Sequence, residues 1–571
     1  MVYLPQGRPR YRPDIPRAER PKPTGLTFRD DALLYGVSFV LLMLAAVLFF
    51  FVLDVYNQDA LSRTVDAHNV LYSRDPHLGA IGLVWPPIPT VMRIVILPIT
   101  SAVGLTEFTG PITSVIATAG CVVVVNRLLH GFGVPPITRG LWIGITFANP
   151  VLLYHFVNGT AESVFTLFFL WVVASALQIR EAPERAVLGM GLATGLALWV
   201  RYEALAIMGM AVVGFLLMAW VYRREGAWRD ISRFESLLVT LVFPSIFLGA
   251  LWLSFNYTAE GDPLFFYRGP YSINAAPDVA KNAADHALRY AYHSVFGSLS
   301  YVAQRTFQIS FLFPFAAAGA AVIGLRTRRL EGTLLAFLAI STLLMQTYQT
   351  FTGTIAPWLR YWVYLPVFTV ILLGWIGKMH PYWLRGSSTA QAVRAGIIPA
   401  LLLLANVISY QTMGHSEVGA DEQLIVAELA GDEERAVELR SNYPDREVLA
   451  EVESVLDQTE GLVLVDLQKS HPLITNFDHT DRLVINTDRD FRSFLDQPVG
   501  NVDYILLPNP RGKGVELNRD AIYTRYPNLY EGATWLELVQ QFNGEYLDWR
   551  LYRVLGGDAD TTQSPQTSAR R

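Results

Sequence analysis

Long apolar runs return along the first 412 residues, broken by short polar clusters. Runs of about 18 residues or more read as membrane-spanning helices. The pattern predicts eleven spans, at 33–53, 112–129, 141–157, 164–177, 186–200, 204–222, 237–253, 307–325, 334–348, 362–376 and 395–410. Two stretches differ. Residues 54–89 scatter charges among Ala60, Val65 and Leu71 at helical spacing and close on Trp85-Pro86-Pro87. That is the pattern of a helix lying at a membrane surface. Residues 90–105 are apolar but carry Arg93, Pro98 and Gly104, and read as a second surface helix.

After residue 412 the pattern changes. Residues 420–456 are charged with helical spacing, and short β-type runs follow at 462–465, 483–485, 504–507 and 549–554. With helical segments between them, they predict a small mixed or parallel sheet. The fold class is therefore a polytopic α-helical membrane protein with a C-terminal α/β domain. The division is a basic arm at 1–30, a membrane domain at 31–412 with structured outer loops at 54–108 and 256–306, a soluble domain at 413–556, and a polar tail at 557–571.

Charge sets the expected orientation. Residues 1–412 hold 30 Lys and Arg against 21 Asp and Glu, whereas 413–571 hold 15 against 29. The Pro-rich arm carries Arg8, Arg10, Arg12, Arg17, Arg20, Lys22 and Arg29, which places the N-terminus in the cytoplasm. Every inner loop then carries basic residues, and eleven spans put the acidic C-terminal domain outside a plasma membrane. The single cysteine, Cys121, lies in an apolar run and reads as a packed small residue.

The orientation gathers the costly polar residues on one face. Asp59, Asp66, Asp75, His77, Glu162, Arg201, Glu203, Asp262, Arg268 and Arg360 all fall at outer helix ends or in outer loops. Charges near a bilayer core are expensive and usually have a task or a partner. Asp54 reads as a helix cap. Arg201 and Glu203 also suit a plain helix-end anchor, and Trp358, Tyr361, Trp362 and Tyr364 an aromatic belt. Asn158-Gly159-Thr160 matches a glycosylation sequon. Metalloprotease, nucleophile-elbow and Walker signatures are absent, and Gly512-Lys513-Gly514 is too short for a phosphate loop. A secondary transporter would place its charges at the bilayer midplane in paired repeats.

Four stretches carry a resemblance: NQDALSR (57–63) running on to SRDPHLGAIGLVWPPIP (73–89), NPVLLYHFVNGTAES (149–163), GLALWVRYEAL (195–205), and NYTAEGDPLFF (256–266) with LRYWVYLP (359–366). In that order the chain resembles the GT-C superfamily of membrane glycosyltransferases that use polyprenyl-phosphate sugars, in particular protein-mannosyltransferase-like and Dol-P-mannose-transferase-like bacterial members. The resemblance implies transfer of a hexose such as mannose to an envelope acceptor, whether protein, lipid or polysaccharide, with no nucleic-acid partner. It places the acceptor-activating aspartate at Asp59. Arg63, Asp75, His77, Trp85, Glu162, Arg201, Glu203, Asp262, Arg268, Arg360 and Tyr361 become candidate substrate-binding residues. No tight Asp-Asp or Asp-x-Asp pair stands there, so a divalent cation stays open. A flippase of lipid-linked sugars and a noncatalytic envelope scaffold are the rival readings.

Overall fold

The structure, a computed structural model, describes residues 26–222, 231–269, 272, 285–379 and 393–556, the last without 442, 444–445, 513–514, 516, 518 and 546. The basic arm through residue 25, the inner-loop arginines at 223, 224 and 229, much of the outer loop after 269, Arg385, Lys513, Gly514 and the tail from 557 lie outside the described residues. Among the described residues, seven helices are long and apolar enough to cross a membrane: Phe28–Val52, Thr109–Gly131, Ala204–Tyr222, Ile231–Glu260, Leu330–Thr352, Leu359–Met379 and Val393–Met413.

The expected count of eleven spans becomes seven, or nine if each of two bent pairs is one span. The expected span at 141–157 is Pro136–Phe147 followed by Pro150–Val157, bent by 74°. Pro150 disfavours helical backbone at Asn149, and Asn149 instead caps the second piece by accepting from Leu152 N–H at 3.1 Å. The expected span at 307–325 is Val295–Ser310 followed by Phe313–Thr327, bent by 99°, with Pro314 in the first turn of the second piece. The remaining two, Glu162–Ala176 and Pro183–Leu198, are helices of 15 and 16 residues. Glu162–Ala176 is mostly buried by its neighbours, so length matched to lipid is not demanded of it.

Both stretches expected as surface helices are helical. Gln58–Tyr72 starts where Asn57 accepts from Ala60 N–H at 3.2 Å, and it buries Ala60, Leu61, Thr64 and Val65. Ile88–Ala102 buries Arg93, which donates to Ala60 O at 2.8 Å and also to Gly159 O. The sequon is folded into this junction. Asn158 is buried and accepts from Thr160 N–H at 3.0 Å, so it is a turn-former and not an exposed acceptor.

The C-terminal sheet has five strands: β1 (Val463–Leu464), β2 (Leu483–Val484), β3 (Tyr504–Pro508), β4 (Leu536–Phe542) and β5 (Trp549–Val554). Their order is β2-β1-β3-β5-β4, with β2-β1-β3 parallel and β3-β5-β4 antiparallel. The sheet is mixed, and β4 is a strand the polarity pattern does not announce. Only its end residues, Leu536 and Phe542, are buried. Of the three helices between the last span and the sheet, the first two, Ala420–Ala430 and Glu433–Arg440, do not belong to its core. Leu424, Ile425, Ala436 and Leu439 pack into the apolar core of the membrane bundle, while Val448 onward supplies the sheet's own core.

Candidate active site

Five chain segments meet at the end of the bundle that carries the sheet. The first turn of Gln58–Tyr72 offers Asp59. The first turn of Glu162–Ala176 offers Glu162. The short connection between Pro183–Leu198 and Ala204–Tyr222 offers Arg201 and Glu203, and the 3-10 turn Leu359–Trp362 offers Arg360. The fifth segment is the start of Ala420–Ala430, with Asp421 and Glu422.

The charges alternate along a chain of ion pairs. Arg360 Nη1 lies 2.7 Å from Asp59 Oδ2, and Arg360 Nε lies 3.8 Å from Glu162 Oε1. The same Glu162 oxygen accepts from Arg201 Nη1, and Arg201 Nε donates to Glu203 at 3.1 Å. Glu162 is fully buried and Glu203 nearly so, whereas Asp59 is about one-third exposed, at 35%. Buried charges persist only when paired, and each of these has a partner of opposite sign. Burial opposes the charge of Arg201, but Glu203, the nearby Tyr364 and Glu162 more than offset it and hold the guanidinium firmly protonated. Arg360 also stacks on aromatic rings, 4.1 Å from the centre of Trp358 and 5.5 Å from Tyr361, and Arg201 lies 5.8 Å from Tyr361.

Arg63 stands one helical turn after Asp59. It donates to Pro86 O at 3.3 Å and sits 4.7 Å over the Trp85 ring. Burial pushes its guanidinium down to about 10, against the pull of Asp59, Asp66 and Glu162, so it stays charged at neutral pH. Asp66 lies on the same helix face, its carboxylate filling the space that a side chain at Gly82 would take. Burial pushes Asp66 up to about 7 although Arg63 and Arg93 pull it down.

A cavity of about 120 Å³ opens beside the Asp59–Arg360 pair, lined by Asn57, Gln58, Asp59, His155, Trp358, Arg360, Asp421 and Glu422. Five of these residues, Asn57, Gln58, His155, Asp421 and Glu422, escape a reading of the sequence. Acidic residues in a helix's first turn are ordinary, because they suit the positive end of the helix dipole, so Asp421 and Glu422 carry no local signal. His155 sits in a long apolar run; its one cue is its place in the stretch 149–163.

Other candidates take different places. Asp75 binds the C-terminal domain: its carboxylate accepts from Arg489 backbone N–H and Nε, each at 2.9 Å. Bonding to Arg489 outweighs partial burial and holds Asp75 well below the usual carboxylate range. His77 Nδ1 lies 2.7 Å from Asp75 O in the same loop. Asp262 and Arg268 pair with each other at 3.8 Å on an exposed turn. Asp54, read as a cap, instead adopts a left-handed backbone with φ of 51° and pairs with Arg440 of the C-terminal region at 2.9 Å. Among the described residues, no group of three His, Cys, Asp or Glu side chains is arranged to hold a metal ion.

No family model matches the chain, and no curated protein matches it in sequence. Solved structures do resemble it. The crystal structure of ArnT from Cupriavidus metallidurans bound to undecaprenyl phosphate matches with a TM-score of 0.53 at 13% identity, covering 93% of this chain and 99% of that one. The apo crystal structure of the same protein gives 0.51 at 13% identity, over 91% and 98%. The likeness shows the fold: an integral membrane protein with a helical bundle built like that of the ArnT structures and a small sheet domain at its C-terminus.

Proposed function

We propose that this protein is a glycosyltransferase of the GT-C type. It moves a sugar, a hexose such as mannose, from a polyprenyl-phosphate carrier to an acceptor hydroxyl on the outer face of the plasma membrane. The observation that carries the reading is the ion-pair chain Asp59–Arg360–Glu162–Arg201–Glu203, assembled from four distant segments beside a cavity. A neighbour of the same fold has been crystallised with undecaprenyl phosphate, which fits a lipid-phosphate donor. The end of the bundle that bears the sheet is then the extracytoplasmic face, where sugars arrive already activated on lipid.

In this reading Asp59 is the general base. One of its oxygens is fixed by Arg360, and the carboxylate is open enough to meet an acceptor. It takes the acceptor hydroxyl's proton as that oxygen attacks the anomeric carbon. The bond from that carbon to the phosphate oxygen breaks, its electron pair leaves on the lipid phosphate, and the new glycoside forms with inversion. Arg201, Arg360 and the neighbouring Arg63 supply positive charge for the departing phosphate. Glu162 and Glu203 hold the arginines in place until the phosphate arrives. The acceptor is an envelope protein, lipid or polysaccharide, and Trp85 belongs to the wall behind Arg63.

The test is Asp59→Asn in purified protein supplied with polyprenyl-phosphate hexose and membranes of a gene-deleted strain as acceptor source. Transfer should fall by roughly 10²–10⁴-fold, the usual contribution of a general base. Undiminished transfer removes Asp59 from that role. Movement of the lipid-linked sugar across vesicles with no new glycosidic bond would instead make the protein a transporter.

A further inference from the structure

Asp421 and Glu422 are adjacent in sequence, the first half-buried and the second buried, and reach back into the bundle from the first helix after the last span. Their partners are adjacent as well. Tyr154 OH donates to Asp421 at 2.9 Å, and His155 Nε2 lies 3.1 Å from Glu422 Oε1. Tyr443 OH donates to the other Asp421 oxygen. The remaining contact of each carboxylate is the informative one. Asp421 accepts from Asn57 Nδ2 at 2.7 Å, and Asn57 is the residue whose side-chain oxygen caps the helix that begins with Gln58 and Asp59. Glu422 accepts from the backbone N–H of Leu359 at 3.2 Å, and Leu359 opens the 3-10 turn that carries Arg360.

From this geometry we infer that the dipeptide Asp421-Glu422 is a positioning clamp for the reacting pair, Asp421 fixing the helix start that bears Asp59 and Glu422 fixing the turn that bears Arg360. The inference rests on the roles proposed above for Asp59 and Arg360. Charge-assisted hydrogen bonds are shorter and stronger than neutral ones, and a buried acceptor shared by two donors tolerates little movement. Burial alone would raise Glu422, but the bond and charge of His155 overcome it and hold its carboxylate low, whereas burial and the adjacent Glu422 raise Asp421 against the bonds from Tyr443, Asn57 and Tyr154. Packing supports the same role. The 420–440 region shares the bundle's apolar core and not that of the sheet, so it moves with the helices that carry the site.

Asn57→Ser separates clamp from cap. Serine still caps the helix, so its start is kept, but it has no amide to donate to Asp421. Asn57→Asp also keeps the cap and sets a carboxylate against Asp421. Glu422→Ala removes the other arm. Hydrogen exchange in the full-length protein in detergent gives a readout that needs no substrate. Asn57→Ser should speed exchange in the turn 359–362 roughly tenfold, as expected when a charge-assisted hydrogen bond is lost, although Asn57 does not touch that turn. Asn57→Asp should speed it further. An effect confined to the first turn of the Gln58–Tyr72 helix overturns the clamp, since a purely local cap predicts that result. In the transfer assay both arms should lower kcat by roughly ten- to a hundredfold, the range expected from a small misplacement of reacting groups, with the KM for polyprenyl-phosphate hexose unchanged. Parent-like kcat in both variants, alongside an inactive Asp59→Asn, refutes the clamp and leaves the functional reading standing. If the parent protein transfers no sugar, that reading fails, and the exchange data alone decide whether the two arms are linked.

Discussion

Replacing Glu162 by glutamine is the sharpest probe of the charge chain. The carboxylate is fully buried, one oxygen serves both Arg201 and Arg360, and the other oxygen has no hydrogen-bond partner among the described residues. Glutamine fills the same volume and keeps one acceptor. It removes the negative charge between two guanidinium groups and turns an unpaired acceptor into an unpaired donor. At the 3.8 Å separation from Arg360, one unit-charge contact is worth about 4 kcal/mol at an effective dielectric of 20. Part of that is offset, because Glu162 itself no longer has to be desolvated. Breaking one side of a buried ion pair costs about 3–5 kcal/mol in practice, and we expect the lower end here because Arg360 keeps Asp59 and Arg201 keeps Glu203. Thermal unfolding in detergent should show a clear fall in midpoint. Glu203→Gln is the internal comparison, since among the described residues Glu203 forms an ion pair with Arg201 alone, and its loss should be the smaller. The two arginines would also gain charge to spare, so on the proposed function binding of a polyprenyl phosphate should tighten in Glu162→Gln. An unchanged midpoint with unchanged binding would refute the view that Glu162 holds these arginines against each other.

Asp66 predicts a pH signature. Its folded-state value of about 7 stands above its value in the unfolded chain, so the folded protein holds a proton that the unfolded chain releases. Stability should therefore fall as pH rises from about 4 to about 7, and flatten above; Asp66→Asn should remove that slope from melting curves taken across the range. Asp75 has the opposite sign. Its depressed value means that the Asp75–Arg489 contact contributes above the ordinary carboxylate range and is lost as pH falls below about 4. Arg489 is exposed, so Arg489→Ala should leave the melting midpoint nearly unchanged at moderate salt. Arg74→Ala, which frees the buried Asp488 as well as Asp490, should loosen the sheet domain more, read as faster limited proteolysis between the bundle and the sheet.

Legible in the residues alone were the membrane character, the helical form of 58–72 and 88–102, most of the sheet, and the clustering of charge at helix ends. They were legible because lipid demands long apolar runs and penalises stray charge, and both demands are written locally. The eleven expected spans stand against seven long apolar helices among the described residues, or nine with the bent pairs, because apolar composition records neither the sharp turns at Asn149-Pro150 and near Pro314 nor the short length of Glu162–Ala176 and Pro183–Leu198. The sequence pattern missed β4 because a strand with only its ends buried has no alternation to detect. The candidate site was legible as a set of residue types, since Asp59, Glu162, Arg201, Glu203 and Arg360 are all costly where they stand. Which of the outer charges pair with one another was decided only by the tertiary structure. Asp75 and Asp54 look like Asp59 in sequence, yet they bind the C-terminal region, because the docking of that region consumes them. Asp421 and Glu422 look like any helix start. They reach the site only because the helix that follows the last span packs into the bundle core, and a contact across more than 350 residues leaves no mark in the local pattern.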